Sequence, residues 1–187
     1  MWILVVGVAL WWGAHLFKRI APEKRASMGM KGRGPVAGAL LLSVILMIIG
    51  YLRAKHSGLW EVWWLPTPAT KGINNLLVLF AFYLFAAAGM KTWIARRFRH
   101  PQLTGFSLWA VAHLLVNGDM PSFVLFGGLL LWAVVEIVVI NAAEPDWKPT
   151  DQPAVLRKEI ICVVAALVVF GVVGMIHTAL GYNPFGA

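Results

Sequence analysis

Residues 160–180 read IICVVAALVVFGVVGMIHTAL, and this stretch decides the fold. It contains no charged side chain. A helix needs about 20 predominantly apolar residues to cross a bilayer, so residues 160–180 predict a membrane-spanning helix. Apolar runs of similar character recur along the chain. Together they predict six spans, at Trp2–Phe17, Val36–Leu52, Ile73–Met90, Leu103–Val116, Ser122–Ile140 and Ile160–Leu180.

The composition supports a membrane protein. The chain has 187 residues, of which 60% are hydrophobic and 13% charged, and its mean hydropathy is +0.76. Soluble domains average about 45–50% apolar and ~25% charged residues. We therefore expect an all-α polytopic membrane helical bundle of about six transmembrane helices, formed by a single domain over residues 1–187. The first run has no basic region before it and no small-x-small cleavage site after it, so we expect a retained helix rather than a signal peptide.

The distribution of basic residues predicts the topology. Thirteen Lys and Arg residues lie in the connections 18–34, 91–102 and 141–159, and three lie between residues 53 and 71. Because basic connections stay in the cytoplasm, both termini should face outward. The net charge of +8 then reflects topology and attraction to anionic headgroups, so the lipid bilayer is the expected partner. The connections are too short to form a nucleic-acid-binding module, and we expect no nucleic acid partner.

Polar side chains interrupt the fourth apolar run. Residues 99–119 read RHPQLTGFSLWAVAHLLVNGD, and Pro101 is suited to the first turn of the helix. Steps of three and four place five polar and aromatic side chains on one helical face: Gln102, Phe106, Trp109, His113 and Asn117. This face predicts either a ligand site or hydrogen bonds from His113 and Asn117 to neighbouring helices. Polar residues inside spans are candidates for function by default.

Two further histidines lie near span ends. His15 precedes Lys18 and Arg19 by one turn. A neutral imidazole can ligate iron, and the cations could hold the propionates of a haem. The alternative for His15 is an interfacial position within an aromatic belt. His177 lies beside a strip of small residues in the sixth run, where it is a second candidate ligand or a hydrogen-bond donor at the outer rim.

Glu136 is the acid that lies clearly within a predicted span. A lone carboxylate in hydrocarbon is costly, so we expect it to meet a partner. The candidate partners are Arg96, Arg97, Arg99 and His15.

Four segments together resemble a known family. The string at 99–119, HLFKRIAPEKRASMG at 15–29, FGGLLLWAVVE at 126–136 and IHTALGYNP at 176–184 resemble the NnrU family of bacterial integral membrane proteins nearly end to end. The resemblance implies a multi-pass protein of the bacterial inner membrane. The string at 99–119 is also similar to the 15-cis-zeta-carotene isomerases, which are haem b enzymes whose iron is held by two histidines.

The isomerase resemblance implies particular cofactor contacts. The two ligands match His113, by motif, and His15, by its place after the first apolar run, with His177 as the runner-up. Trp109, Asn117, Lys18 and Arg19 would complete a haem b site around these ligands. Some isomerases carry a cysteine three residues before the second histidine. This chain has Ala110 there, so the resemblance does not extend to redox-dependent ligand switching.

Three functions follow as hypotheses. The NnrU resemblance implies a link to denitrification through nitrite and nitric oxide reductases, and thus a haem protein with a redox, sensing or isomerase-like role. The second is a membrane methyltransferase that uses S-adenosylmethionine, because such enzymes are similar around R-H-P-x-Y-x-G, although Leu103 replaces the Tyr. The third is a non-enzymatic assembly factor for a partner membrane protein. The residue pattern leaves open whether the protein is an enzyme.

Overall fold

The computed structural model describes residues 1–186, and Ala187 lies outside the described residues. Its helices are α1 (Trp2–Ile20), α2 (Pro22–Ser27), α3 (Arg33–His56), α4 (Pro68–Met90), α5 (Trp93–Arg97), α6 (Pro101–Val116), α7 (Met120–Ser122), α8 (Gly128–Ala143) and α9 (Leu156–Ala179). A 3-10 turn at Gly29–Gly32 precedes α3, and a π-helical segment at Phe123–Gly127 joins α7 to α8. Two short strands, β1 (Val62–Trp64) and β2 (Gly118–Asp119), pair antiparallel.

The predicted helical membrane fold is confirmed. Within residues 1–186, five helices are long and apolar enough to span a bilayer: Trp2–Ile20, Gly29–His56, Pro68–Met90, Met120–Ala143 and Leu156–Ala179. Helix α6 forms where the fourth span was predicted, but it has 16 residues and is shorter than these five. The count of six crossings and the outward termini stay predictions.

The described chain divides into two compact units. The first unit contains Met1–Trp64 and Gly118–Trp132, and the second contains Leu65–Asn117 and Ala133–Ala187. Each unit is therefore built from segments that are separated in sequence, and each is described by itself below. The expectation of a single membrane domain stays a prediction.

Helices α1 and α3 form the core of the first unit, and glycines let them approach closely. Gly50 of α3 lies against the backbone of Leu4, and an added Cβ on Gly7 of α1 would lie 2.8 Å from the backbone nitrogen of Met47. Residue numbers fall along one helix as they rise along the other, so α1 and α3 run antiparallel. Small residues at such crossings replace the side-chain volume that would hold the two backbones apart.

The segment 118–132 completes the first unit. Trp12 donates from Nε1 to the carbonyl of Gly128 at 3.0 Å, which fixes the start of α8 against α1. In the small sheet, Val62 pairs with Asp119 and Trp64 with Gly118. The indole of Trp64 covers Gly118 so closely that a side chain there would collide with it. Position 118, next to the end of the 99–119 string, therefore requires a glycine.

Helix α4 is the centre of the second unit, because both α6 and α9 pack against it. Gly105 of α6 faces the carbonyl of Ala81, and Cys162 of α9 donates its thiol to the carbonyl of Tyr83 at 3.6 Å. Helix α4 begins with a capping box in which Thr67 and Thr70 exchange side-chain and backbone hydrogen bonds. The long apolar helix α4 thus has two helical neighbours, α6 and α9, within the same unit.

The arginines before α6 bind the connection that follows α8. Arg96 donates to Oε1 of Gln152 at 3.0 Å, Arg97 pairs with Asp151 at 3.2 Å, and Arg99 donates to the carbonyl of Glu144. The expected pairing of Glu136 with one of these arginines or with His15 stays a prediction.

The segment after α9 folds back onto the second unit. The ring of Phe185 covers Gly174 and lies 5.6 Å from the ring of Phe170. Lys71 of α4 donates to the carbonyl of Gly186 at 2.8 Å, and Asn75 donates to that of Pro184 at 2.9 Å. The start of α4 thus fastens the residues that follow α9.

Candidate functional site

His113 occupies the last turn of α6 and is half-buried. Its Nδ1 lies 2.9 Å from the carbonyl oxygen of Trp109, one turn earlier. Because a carbonyl oxygen only accepts, Nδ1 is the donor and Nε2 carries the lone pair. This arrangement fixes both the ring orientation and the tautomer that a metal-ligating imidazole requires.

The aromatic part of the predicted stripe is assembled around His113. The ring of Trp109 lies 4.8 Å from the imidazole, and Phe106 lies 5.2 Å from Trp109. Asn117 follows the end of α6, and its amide donates to the carbonyl of His113 at 2.9 Å. The side chain of Asn117 therefore caps the helix end, and its amide oxygen is the acceptor that could contact a ligand.

His177 lies in the last turn of α9, within the same unit as His113. Its Nδ1 donates to the carbonyl of Val173 at 2.8 Å, so its lone pair is also on Nε2. The second unit thus contains the first-choice ligand together with the runner-up.

His15 belongs to the first unit and is packed between two indoles. Its ring centroid lies 4.2 Å from that of Trp11 and 4.5 Å from that of Trp132, which is 4% exposed. The Nδ1 of His15 donates to the carbonyl of Trp11 at 3.1 Å. Sequence reasoning missed Trp132, although it lies in the FGGLLLWAVVE segment that carries part of the resemblance.

The cations after His15 lie in the last turn of α1, where Lys18 is exposed and Arg19 is half-buried. A cationic side chain is favourable at this end of a helix.

His100 precedes Pro101 as the N-cap residue of α6, but its side chain makes no capping hydrogen bond. Its Nε2 donates instead to Oδ1 of Asn141 at 2.8 Å. His100 therefore positions α6 against α8.

A polar cluster that the sequence analysis did not identify lies in the first unit. Asp119 is 4% exposed and pairs with Nζ of Lys55 at 2.6 Å. It also caps α7 by accepting from the backbone nitrogen of Ser122 at 3.0 Å, and the Ser122 hydroxyl lies 3.0 Å from that of Tyr51. The local signal was an Asp followed by Met-Pro-Ser, an N-cap pattern.

The donor atoms in each unit are suited to haem iron. His15, His113 and His177 each hold the proton on Nδ1 and the lone pair on Nε2. Haem iron takes neutral imidazole nitrogens as axial ligands, so the residues present fit this group. Among residues 1–186, no three His, Cys, Asp or Glu side chains gather as a protein-bound metal ion would require. Axial ligation of a haem needs no such group.

Apolar helices of spanning length and half-buried histidines define a polytopic helical membrane protein. Comparison with protein-family models matches the family described as NnrU protein over residues 3–184. The chain therefore belongs to the NnrU family, and the sequence-based expectation of this membership is confirmed. No curated protein and no solved structure matches the chain. The similarity to carotene isomerases stays a prediction.

Proposed function

We propose that this protein binds haem b in the bacterial inner membrane and has a redox or sensing role in nitrogen-oxide metabolism. The observation that carries the proposal is the hydrogen bond from Nδ1 of His113 to Trp109, which leaves the Nε2 lone pair to act as a ligand. Membership of the NnrU family supports the link to denitrification. When bound, haem b would supply an iron centre that exchanges one electron.

The residue roles follow the sequence-based assignment. His113 is the first axial ligand, and His15 is the second, with His177 as the alternative because it shares a unit and the same local hydrogen bond with His113. Trp109 provides an aromatic surface next to His113. Lys18 and Arg19 would bind the haem propionates, since both are cationic and follow His15 by one turn.

Visible absorption of the protein extracted in mild detergent from haem-replete cells tests the proposal. We expect a sharp Soret band, resolved α and β bands on reduction, and a pyridine haemochrome of haem b. His113→Ala should abolish the bis-imidazole spectrum. Of His15→Ala and His177→Ala, the variant that also abolishes it identifies the second ligand.

Two variants serve as controls. His56 has the same hydrogen bond from Nδ1 to a carbonyl one turn earlier, at 2.8 Å, but its ring is exposed. We expect His56→Ala and His100→Ala to keep the spectrum. Haem-free protein, or an unaltered spectrum in His113→Ala, would contradict the proposal. Binding of labelled S-adenosylmethionine would then favour the methyltransferase, and a co-purifying reductase subunit would favour the assembly factor.

A further inference from the structure

A shallow apolar groove lies on the first unit beside the end of α1 and the start of α3. Its volume is about 190 Å³. Leu10, Gly13 and Phe17 line it from α1, Pro35 and Ala39 line it from α3, and Met28 closes it at the connection. Residues 10–17 span about 10 Å along α1. The groove therefore begins at the polar end of the two helices and extends into the depth where lipid acyl chains lie.

Gly13 keeps this groove open. Gly13 is exposed, and an added Cβ would meet no atom within 4 Å. At Gly7 and Gly50, by contrast, an added Cβ would collide with the other helix. The space at Gly13 is thus available to a partner from the membrane.

The connection between α1 and α3 places positive charge at the polar end of the groove. Residues 18–34 contain six basic residues and one acid, Glu23. Helix α2 and the 3-10 turn fold this connection, and Arg25 donates to the carbonyl of Gly29 at 3.2 Å. Lys24, Lys31 and Arg33 are exposed. A cationic surface therefore adjoins the entrance of the apolar groove. This arrangement matches a phospholipid, in which a charged headgroup is followed by an acyl chain.

We propose that this groove, with Lys24, Lys31 and Arg33 at its entrance, binds one anionic diacyl phospholipid. The cationic side chains bind the phosphate, and an acyl chain occupies the groove past Gly13. Basic surfaces between membrane helices recognise anionic headgroups in this way. A second groove of about 400 Å³ on the same unit is lined by Val5, Val8, Ala9, Trp12, Val124 and Gly128. None of these side chains is charged, so nothing in that lining selects a charged headgroup.

The experiment compares lipids and variants by native mass spectrometry of the full chain in detergent. Phosphatidylglycerol should be retained, and phosphatidylcholine should be lost at the same concentration. K24Q/K31Q/R33Q should weaken retention of phosphatidylglycerol on the order of 100-fold, since each basic residue near a membrane surface contributes about a factor of five. Gly13→Leu should block the groove and abolish retention while the protein still folds.

Matched controls separate the site from general effects. Gly38→Leu places the same side chain at an open position of α3 outside the groove lining, and it should keep phosphatidylglycerol bound. K148Q/R157Q/K158Q removes three exposed charges elsewhere and should also keep it. Equal retention by K24Q/K31Q/R33Q or by Gly13→Leu would overturn the proposal. Release of the lipid by glycerol phosphate alone would also overturn it, because the headgroup would then be sufficient for binding.

Discussion

Asp119 is an ionised carboxylate with little access to solvent. It accepts hydrogen bonds from Nζ of Lys55 at 2.6 Å and from the backbone of Ser122 at 3.0 Å. Burial raises the pKa of Asp119, but the Lys55 and Ser122 hydrogen bonds and the Lys55 charge lower it by more, so the pKa lies below its usual value. The folded state therefore favours the charged carboxylate, and the carboxylate ties the end of α3 to the start of α7.

This pair predicts a pH-dependent loss of stability in Asp119→Asn. A carboxyl whose pKa is lower in the folded than in the unfolded state stabilises the protein above the unfolded value, and that stability is lost as pH falls through the folded pKa. The variant should lower the free energy of unfolding by about 2 kcal/mol at pH 7. The difference from the parent protein should shrink below about pH 4, where unfolded Asp becomes protonated. Thermal unfolding in detergent at several pH values measures both effects.

Asp151→Asn is the control for this prediction. Asp151 pairs with Arg97 at 3.2 Å, but its side chain is 93% exposed. Such surface pairs contribute about 0–1 kcal/mol, so this variant should melt like the parent at every pH. Equal melting of Asp119→Asn and the parent protein at pH 7 would show that the Lys55 pair does not stabilise the fold.

At the residue scale, local features were predictable and distant pairings were not. The face that carries Trp109 and His113 follows from helical spacing, because both contacts lie within one turn. The pair of Lys55 and Asp119 joins residues 64 positions apart, and it depends on how α3 packs. The same reason explains Trp132 beside His15, since no local periodicity relates α1 to α8.

At the scale of elements, hydropathy predicted the long helices within a few residues. Helix α4 was expected from Ile73 and begins at Pro68, because Thr67 caps it and Pro68 fits the first turn. Helix α2, the 3-10 turn and the small sheet were not predicted. Each is too short to show a period, and β1 forms because β2 lies beside it.

The crossing of α1 and α3 predicts a specific intolerance to volume. Gly50→Ala would place a methyl group against the backbone of Leu4, which cannot move without displacing α1. Overpacking of this kind costs about 1–3 kcal/mol. We therefore expect Gly50→Ala to lower the melting temperature and the yield of monodisperse protein in detergent.

Gly38→Ala tests whether this effect is specific to the crossing. Gly38 lies in the same helix, and an added Cβ there would meet no atom within 4 Å. Because Ala favours a helix interior over Gly, this variant should be neutral or slightly stabilising. A similar loss of stability in both variants would mean that glycine is needed for the flexibility of α3 rather than for its contact with α1.

At the scale of the whole molecule, the small sheet constrains the topology. Strands β1 and β2 pair directly, and Lys55 reaches Asp119, so we expect residues 55–64 and 118–119 to lie at the same side of the membrane. The chain between them contains α4, which is long enough to span, and α6. If α4 crosses the membrane, the chain must cross back to return to β2. This supports six crossings, although the 16 residues of α6 span about 24 Å against a hydrocarbon core of about 30 Å.

Reporter fusions test this topology at three positions. The predominance of basic residues in the connections 18–34, 91–102 and 141–159 predicts that these connections lie in the cytoplasm. A phosphatase that is active only outside the cytoplasm should therefore be active when fused after Ser57 or Ala187, and a cytoplasmic fluorescent reporter should be active after Asp146. If α6 failed to cross, residue 146 would lie outside and residue 187 inside. The phosphatase would then be inactive after Ala187, and the fluorescent reporter would be inactive after Asp146. With the two reporters exchanged between these positions, both would be active. Fluorescence at Ala187 together with phosphatase activity at Asp146 would contradict six crossings, and it would also require β2 to lie across the membrane from β1.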